Sequence, residues 1–420
     1  MLDIKFIKEN PDLIKDAARK KHIQFDVDEL LKVEEQRVEL LQVVESHRAK
    51  QNKITDQISQ TTDQTEKQRL IEEMRTFKED AKKNEETLKE VIKEWQLLML
   101  HVPNIPDVSV PEGKTDEDNQ EIRNWGEKPE FNFEPKDHIE LMEKLDMADF
   151  ERGSKVSGFR GYFLKNDGAL LSFALWNFFL DNISRKGYTP LMAPSIVKKE
   201  TLIGTGFIPQ HEEDLYKIKE GHYLSGTGEV PTMGYFMDEV LKKEDLPQKF
   251  ITFSPCFREE AGSHGRDVKG LVRVHEFFKL EQVIISEADH EQSVNLHEEI
   301  TANVEELMKA LNIPYRVVVN AGGDLGIGQV KKYDIEAWVP SQNKYRETHS
   351  ASYFHDFQTR RLNIRYKDES GKMHYAHSLN NTAVATPRFL VALIENNQQE
   401  DGSIKIPVAL QKYLGKDTIS

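Results

Sequence analysis

Apolar side chains recur at steps of three and four through Leu30, Val33, Arg37, Leu40, Val44, His47, Gln51, Ile54 and Ile58, with few polar interruptions. The same step runs back from Leu98 through Trp95, Val91, Leu88, Asn84, Ala81, Phe77, Met74 and Leu70. This period belongs to helical seams that pack on one another. Between them lies SQTTDQTE, in which Asp63 and Glu66 have capping-box spacing. The pattern predicts two antiparallel helices joined by a tight turn near residues 60–64, each about 50 Å long at 1.5 Å per residue. Residues 1–26 read as a short helical start, with Pro11 either breaking it or opening a second helix.

The period stops in HVPNIPDVSVPEGKTDEDNQ, which is rich in proline and acid. A new amphipathic segment begins around Asp137. From there short β-like runs (159–165, 222–226, 249–257, 271–285, 315–320, 333–339, 345–353, 361–367) alternate irregularly with helical stretches (168–185, 229–243, 288–311, 386–398). That mixture predicts an α+β fold on a largely antiparallel sheet. The expected organisation is a helical arm over 1–103, a linker over 104–136 and a globular domain over 137–420.

Composition narrows the function. Of 420 residues, 38% are hydrophobic and 31% charged, which fits a globular protein with a solvated helical part. The single cysteine, Cys256, excludes an intrachain disulfide framework and a Cys-rich zinc site. The charged start, MLDIKFIKENPDLIKDAARKK, lacks the apolar core of a signal peptide, and no run suggests a membrane span. A cytoplasmic protein with no membrane partner is expected. The formal net charge of −15 argues against indiscriminate nucleic-acid binding and restricts any RNA contact to local patches. Arg48, Lys50, Lys53, Lys67, Arg69, Arg75 and Lys78 gather toward the arm tip, interleaved with acid. They form either such a patch or a solvated, ion-paired face.

The densest chemistry lies in FSPCFREEAGSHGRDVKGLVRVHEFFKLE, residues 253–281. Two extended runs flank a polar loop broken by Gly262, Gly265 and Gly270, as in a hairpin with a long tip. Strand alternation from Leu271 onward would put Arg273, His275, Phe277, Lys279 and Glu281 on one face, suited to an anionic, ring-bearing ligand. In RETHSAS, residues 346–352, Glu347 and Ser350 offer oxygen to a hard cation. Arg388 opens an apolar helix, where a cation is unfavourable unless an anion compensates it. In YLSGTGEVPT, Thr227 and Glu229 flank Gly228 at the start of a helix, where Thr227 can act as a cap. AGGDLGIG, residues 321–328, lacks the helix and acid of a dinucleotide fingerprint and reads as a mobile loop.

Together these blocks resemble the class II aminoacyl-tRNA synthetases, and among them the bacterial-type seryl-tRNA synthetases. Phe257-Arg258-Glu259-Glu260, the loop, then Arg273 to Phe277 resemble motif 2; RKGYTPLMAPSIV resembles motif 1, the dimer interface; Arg388 and its helix resemble motif 3. The likeness spans nearly the whole chain and includes the arm, Thr227-Gly228-Glu229, and Asn380-Asn381-Thr382. It implies a homodimeric serine–tRNA ligase that uses ATP with Mg²⁺, activates L-serine and charges tRNA(Ser), with tRNA(Sec) as a further candidate. It implies a serine pocket of Thr227, Gly228, Glu229, Glu281, Asn380 and Thr382, with Glu281 facing the ammonium. Arg258 and Arg388 become catalytic, on the α- and γ-phosphates, with Phe277 stacking on adenine and Arg273 assisting. Glu259, Glu260, Val274, Glu347, Thr348, His349 and Ser350 complete the ATP contacts, and Glu347 and Ser350 the Mg²⁺ ligands. The arm would reach the long variable arm of the tRNA.

Two positions depart from the family. Glu276 stands where many relatives have Gln, and strand alternation predicts that it points away from the ligand face. Asn-Asn-Thr-Ala replaces Gly-Ser-Gly-Leu, and Thr382 keeps the hydroxyl. A paralogue that loads a carrier protein, and a non-catalytic coiled-coil protein, are the competing readings. The full arm speaks against the first and the joint presence of Arg258, Glu281, Glu347 and Arg388 against the second.

Overall fold

The computed structural model describes every residue except 262–266 and 268, and every side chain among these except that of Thr76. Gly262 and Gly265, and much of the loop tip, therefore lie outside the described residues. The chain forms two compact units. One comprises Asp3–Arg19 and Gln24–Pro103, the other Met1–Leu2, Lys20–Ile23 and Asn104–Ser420.

The helical unit holds α1 (Ile4–Glu9), α2 (Pro11–Lys20) except its last residue, α3 (Val27–Gln60) and α4 (Gln64–His101). Pro11 opens α2, where its missing N–H costs nothing. Leu30, Val33, Val44 and Ile54 of α3 and Leu70, Met74, Leu88 and Val91 of α4 are buried along the seam. Its polar positions are filled by rings: His47 lies edge-on to Phe77 at 4.9 Å, and the Arg37 guanidinium sits 4.9 Å from the Trp95 centroid. At the turn Asp63 accepts from the backbone N–H of Thr65 and Glu66, capping α4. Only the forward half of the capping box forms, because the Glu66 carboxylate is held by Arg69 at 2.8 Å.

The other unit is built on a sheet of eight strands among the described residues: β1 (Gln120–Trp125), β2 (Thr189–Met192), β3 (Gln248–Phe257), β4 (Glu276–Ser286), β5 (Tyr315–Val319), β6 (Lys331–Val339), β7 (Lys344–His355) and β8 (His377–Thr386). Their order is β1-β5-β6-β7-β8-β4-β3-β2, antiparallel except for the β2–β3 pair. Residues 104–136 belong to this unit and supply its edge strand β1. The helices used below are α5 (His138–Lys144), α6 (Asn166–Ser184), α7 (Glu229–Gly234), α8 (His290–Ala310), α9 (Phe357–Leu362) and α10 (Arg388–Asn396).

One core contains Leu171, Leu175 and Phe179 of α6, Ile300 and Val304 of α8 and Phe389 and Leu393 of α10, packed with Leu280, Ile335, Ala351 and Val384 of the strands. Alternation then directs Lys279, Glu281, Val283 and Ile285 to the other face of β4. There Val283 and Ile285 pack with Met233, Phe236 and Ile364.

Several elements differ from the periodicity reading. The helix expected over 229–243 stops at Gly234, and Val240–Lys242 is instead a short strand pairing with Arg365–Lys367. Of 159–165 only Phe163–Leu164 is extended, and 361–362 fall in α9. The run expected from 271 enters the sheet only at Glu276. Gly270 has φ +78° and the Leu271 N–H donates to His138 Nε2 of α5 at 3.2 Å, which draws 270–275 off the ladder. The expected mobile loop 321–328 is packed. A Cβ on Gly322 would lie 2.1 Å from the Lys20 carbonyl oxygen, and the buried Lys21 ammonium donates to the carbonyls of Gly326 and Ile327 at 3.0 and 2.9 Å.

Candidate active site

The site lies on the face of β4, β8 and β7 opposite the main core. On β4, Phe277, Lys279 and Glu281 project from alternate positions. Glu281 stands directly opposite Thr382 of β8, across a register shift beside Leu280. On β7 a second irregularity decides the outcome. Glu347 pairs with Glu336 and His349 with Ile335, so Thr348 is an extra residue, a bulge. Ser350 pairs with Asp334. Because 334 and 336 share a face of β6, Glu347 and Ser350, three apart, share that face too.

The same bulge turns His349 inward. Its ring lies beside Phe179 and Phe389, 6.4 and 5.5 Å between centroids, and burial pushes its pKa down to about 3. The imidazole belongs to the core, so a nucleotide contact at His349 would have to come from its backbone. Thr348 Oγ1 donates to the Ile335 carbonyl at 3.2 Å. Glu259 hydrogen-bonds Tyr216 through its carboxylate, with its N–H on the Asp214 carbonyl. His275 also leaves the expected row, because 271–275 are not strand. Its ring lines an apolar cavity of about 610 Å³ with Phe159, Phe173, Trp176 and Phe278. Glu276 borders that cavity as well, on the Phe278 side of β4.

A polar pocket forms where α7 meets β4 and β8. Thr227 Oγ1 accepts from the Glu229 N–H at 3.3 Å, so it serves the helix start. The Glu229 carboxylate is buried and accepts from Gln358 of α9 at 2.6 Å. Burial raises its pKa to about 7; Gln358 opposes the rise, Glu281 adds to it, and Lys279 and Asn380 oppose it. Glu281 is raised by burial and drawn back by Lys279, Arg258 and the Thr382 hydroxyl. Gly228 sits so close beneath that an added Cβ would lie 3.0 Å from Ser254 Oγ and 3.1 Å from Glu281 Cβ. Lys279 was visible on the ligand face but carried no assigned role. Its ammonium forms an ion pair with Glu281 and donates to Thr227 Oγ1 at 2.7 Å. Gln358, which orients Glu229, had no signal in its sequence context.

Beside this pocket lies a cluster of cations. The Arg258 guanidinium lies 5.2 Å from the Phe277 centroid, and its Nε donates to the Gly226 carbonyl at 3.3 Å. Arg273 pairs with Glu260 at 2.8 Å. Arg388, first residue of α10, donates through Nε to the Val272 carbonyl at 3.0 Å and lies 3.9 Å from the Glu347 carboxylate. Burial raises Glu347, but Arg388, Lys332, Arg258 and Arg273 together hold its carboxyl below the ordinary value. Val274 and Thr348 complete the lining. The enclosed space is about 70 Å³, well below the roughly 300–1,000 Å³ of a typical ligand pocket. Arg258, Arg273 and Arg388 all line this small space.

Buried carboxylates and hydroxyls next to a ring and three arginines can hold a polar ammonium ligand against a polyphosphate. Residues 214–397 match the family model described as the tRNA synthetase class II core domain (G, H, P, S and T), and residues 1–106 the seryl-tRNA synthetase N-terminal domain. A serine–tRNA ligase of Deinococcus radiodurans is 47% identical over 99% of this chain and 98% of its own. One from Thermodesulfovibrio yellowstonii is 43% identical over the full length of both. The crystal structure of seryl-tRNA synthetase from Pyrococcus horikoshii complexed with ATP superposes with a TM-score of 0.90 at 40% identity, covering 100% of this chain and 99% of that one. The antiparallel sheet, the helical arm and these matches agree, and the chain belongs to the seryl-tRNA synthetase family of class II synthetases.

Proposed function

We propose that the protein activates L-serine with ATP to seryl-adenylate and transfers the seryl group to the 3′ end of tRNA(Ser), with tRNA(Sec) a second acceptor to be tested in the same assay. The observation that carries this reading is the adjacency of two chemistries on one sheet face. Glu229, Glu281, Thr227 and Thr382 form a buried pocket for an ammonium and a hydroxyl, and Arg258, Arg273 and Arg388 line the neighbouring cavity.

Attack of the serine carboxylate on the α-phosphate needs alignment and charge stabilisation more than a general base. Glu281 and Thr227 hold the ammonium, and Thr382 meets the side-chain hydroxyl with Asn380 nearby. A pocket built to hydrogen-bond a hydroxyl rejects alanine and glycine by roughly 10⁴ or more. Arg258 faces the α-phosphate, Arg388 and Arg273 the outer phosphates, Phe277 the adenine, and Glu260 and Val274 border the nucleotide. Glu347 and Ser350 fit a magnesium ion: both are oxygen donors on one face, and the buried Asp334 Oδ1 beside them has no hydrogen-bond partner among the described residues. Bound there with the nucleotide, Mg²⁺ would supply further positive charge to the phosphates.

The protein is proposed to act as a homodimer. Phe159, Phe163, Leu170 and Phe173 expose large apolar side chains next to the 610 Å³ cavity, around α6 of the motif 1 region. No helix among the described residues is long and apolar enough to cross a membrane. The deciding experiment is serine-dependent ATP–pyrophosphate exchange and charging of tRNA(Ser), with threonine and tRNA(Sec) in parallel. Arg258→Ala is expected to lower exchange about 100-fold or more, as for loss of one donor to developing charge. Full exchange by that variant would refute the role of Arg258.

A further inference from the structure

Lys279 is 5% exposed, and the two groups it touches, Glu281 and Thr227, are 2% and 3% exposed. Its ammonium pairs with the Glu281 carboxylate and donates to Thr227 Oγ1 at 2.7 Å. These are the same two groups proposed above to hold the ammonium of serine. Two ammonium groups cannot share one buried carboxylate without strong like-charge repulsion. A substrate ammonium seated on Glu281 therefore competes with that of Lys279. The lysine side chain also lines the small cavity formed with Arg258, Phe277, Thr382 and Arg388. Its flexible four-carbon stem can carry the charge from one side to the other without backbone movement.

We infer that Lys279 is a two-position cation: it stands in for the substrate ammonium on Glu281 and Thr227, and an entering ammonium releases it into the phosphate cavity. This rests on the reading of Glu281 and Thr227 as serine contacts. The consequences are specific. Before substrate enters, Lys279 keeps Glu281 neutralised, so simple amines must compete with it. After release it adds a charge beside Arg258 where the nucleotide phosphates and the attacking carboxylate meet. Amino-acid binding thereby strengthens nucleotide binding, and by linkage the reverse holds. Lys279 is then a placeholder for the substrate ammonium and a charge donor to the phosphates, rather than half of a fixed structural pair.

Ethanolamine separates these roles, because it carries the ammonium and hydroxyl of serine and no carboxylate. Calorimetry would measure its binding, and that of α,β-methylene-ATP with and without it. In the wild type ethanolamine is expected to tighten the nucleotide analogue about fivefold, within the usual range of coupling between sites. Lys279→Met is expected to bind ethanolamine about tenfold tighter, since no internal ammonium competes, and to lose the coupling. Its exchange kcat falls while its KM for serine does not rise. A fixed structural pair predicts the opposite, with weaker ligand binding on its removal. Absence of coupling in the wild type, or ethanolamine binding by the variant no tighter than by the wild type, overturns the inference. The wild-type measurement stands even if the variant does not fold. Lack of serine-dependent exchange by the wild type would instead overturn the ligase reading, so the two failures are distinguishable.

Discussion

Glu229 shows how a single buried group ties the site to stability. Its pKa rises from 4.5 to about 7, chiefly through burial. The folded protein thus holds this proton more tightly than the unfolded chain. The contribution is fully present below 4.5 and is lost as pH rises to about 7. Glu229→Gln removes the titration and can keep a hydrogen-bonding amide near Gln358. Urea unfolding between about pH 5 and 8 should show the variant gaining stability relative to the wild type as pH rises, by about 1–3 kcal/mol. A constant difference across that range would rule the assignment out. Other side chains here differ in how much the chain disclosed. Glu281, Thr227 and Thr382 could be named as candidates because each sits in a short segment that resembles a family motif. The contact made by Lys279 was not, because alternation gives the face of a side chain and not the rotamer that takes its ammonium to Glu281.

Longer segments were read best where period and partner agreed. The seams of α3 and α4 are continuous apolar steps, and Asp63 caps the turn between them, so both helices and their turn follow from the pattern. The first half of the motif 2 hairpin, β3, is also where the apolar run placed it. Residues 271–275 were misread because Val272 and Val274 alternate like a strand, while Gly270 and the hydrogen bond to His138 lead the chain away. The loop 321–328 was misread for the converse reason. Its glycines suggest freedom, but they are needed for close approach of other backbone, with Lys114 O only 2.5 Å from a Cβ on Gly323. Helix α6 carries a prediction of its own. Leu170 and Phe173 are 52% and 58% exposed on one side, while Leu171, Leu175 and Phe179 are buried on the other. A helix apolar on both sides needs a second partner. Phe173→Asp should shift the protein from dimer to monomer in sedimentation equilibrium; a monomeric wild type would sink the proposed interface.

The residues proposed for serine and ATP and the hairpin proposed for tRNA fall in different units. All residues proposed for serine and ATP lie in the unit containing Asn104–Ser420, and the long hairpin lies wholly in the other. On the hairpin Arg48 and Lys50 are engaged by Glu85 and Glu73, as the solvated-face reading expects. Lys53, Lys67, Arg75 and Lys78 have no ion pair among the described residues and remain available to a phosphate backbone. Because the seam is satisfied within the chain, removing the middle of both helices should leave the sheet unit able to fold. Deletion of residues 35–90 is expected to abolish charging of tRNA(Ser) while leaving serine-dependent pyrophosphate exchange within about twofold of the wild type. Undiminished charging would show that the hairpin does not take the tRNA.

The bulge at Thr348 has a consequence beyond its shape. A strand sorts its side chains by odd and even number, and Glu347 and Ser350 differ in parity, so no regular strand can present both to one ligand. Thr348 reconciles them by being counted on one strand and skipped on the other. Its hydroxyl spends itself on the local backbone and on its neighbour His349. The site therefore depends on Thr348 as an interval more than as a side chain: it is a punctuation mark, without which the letters on either side would be read on opposite pages.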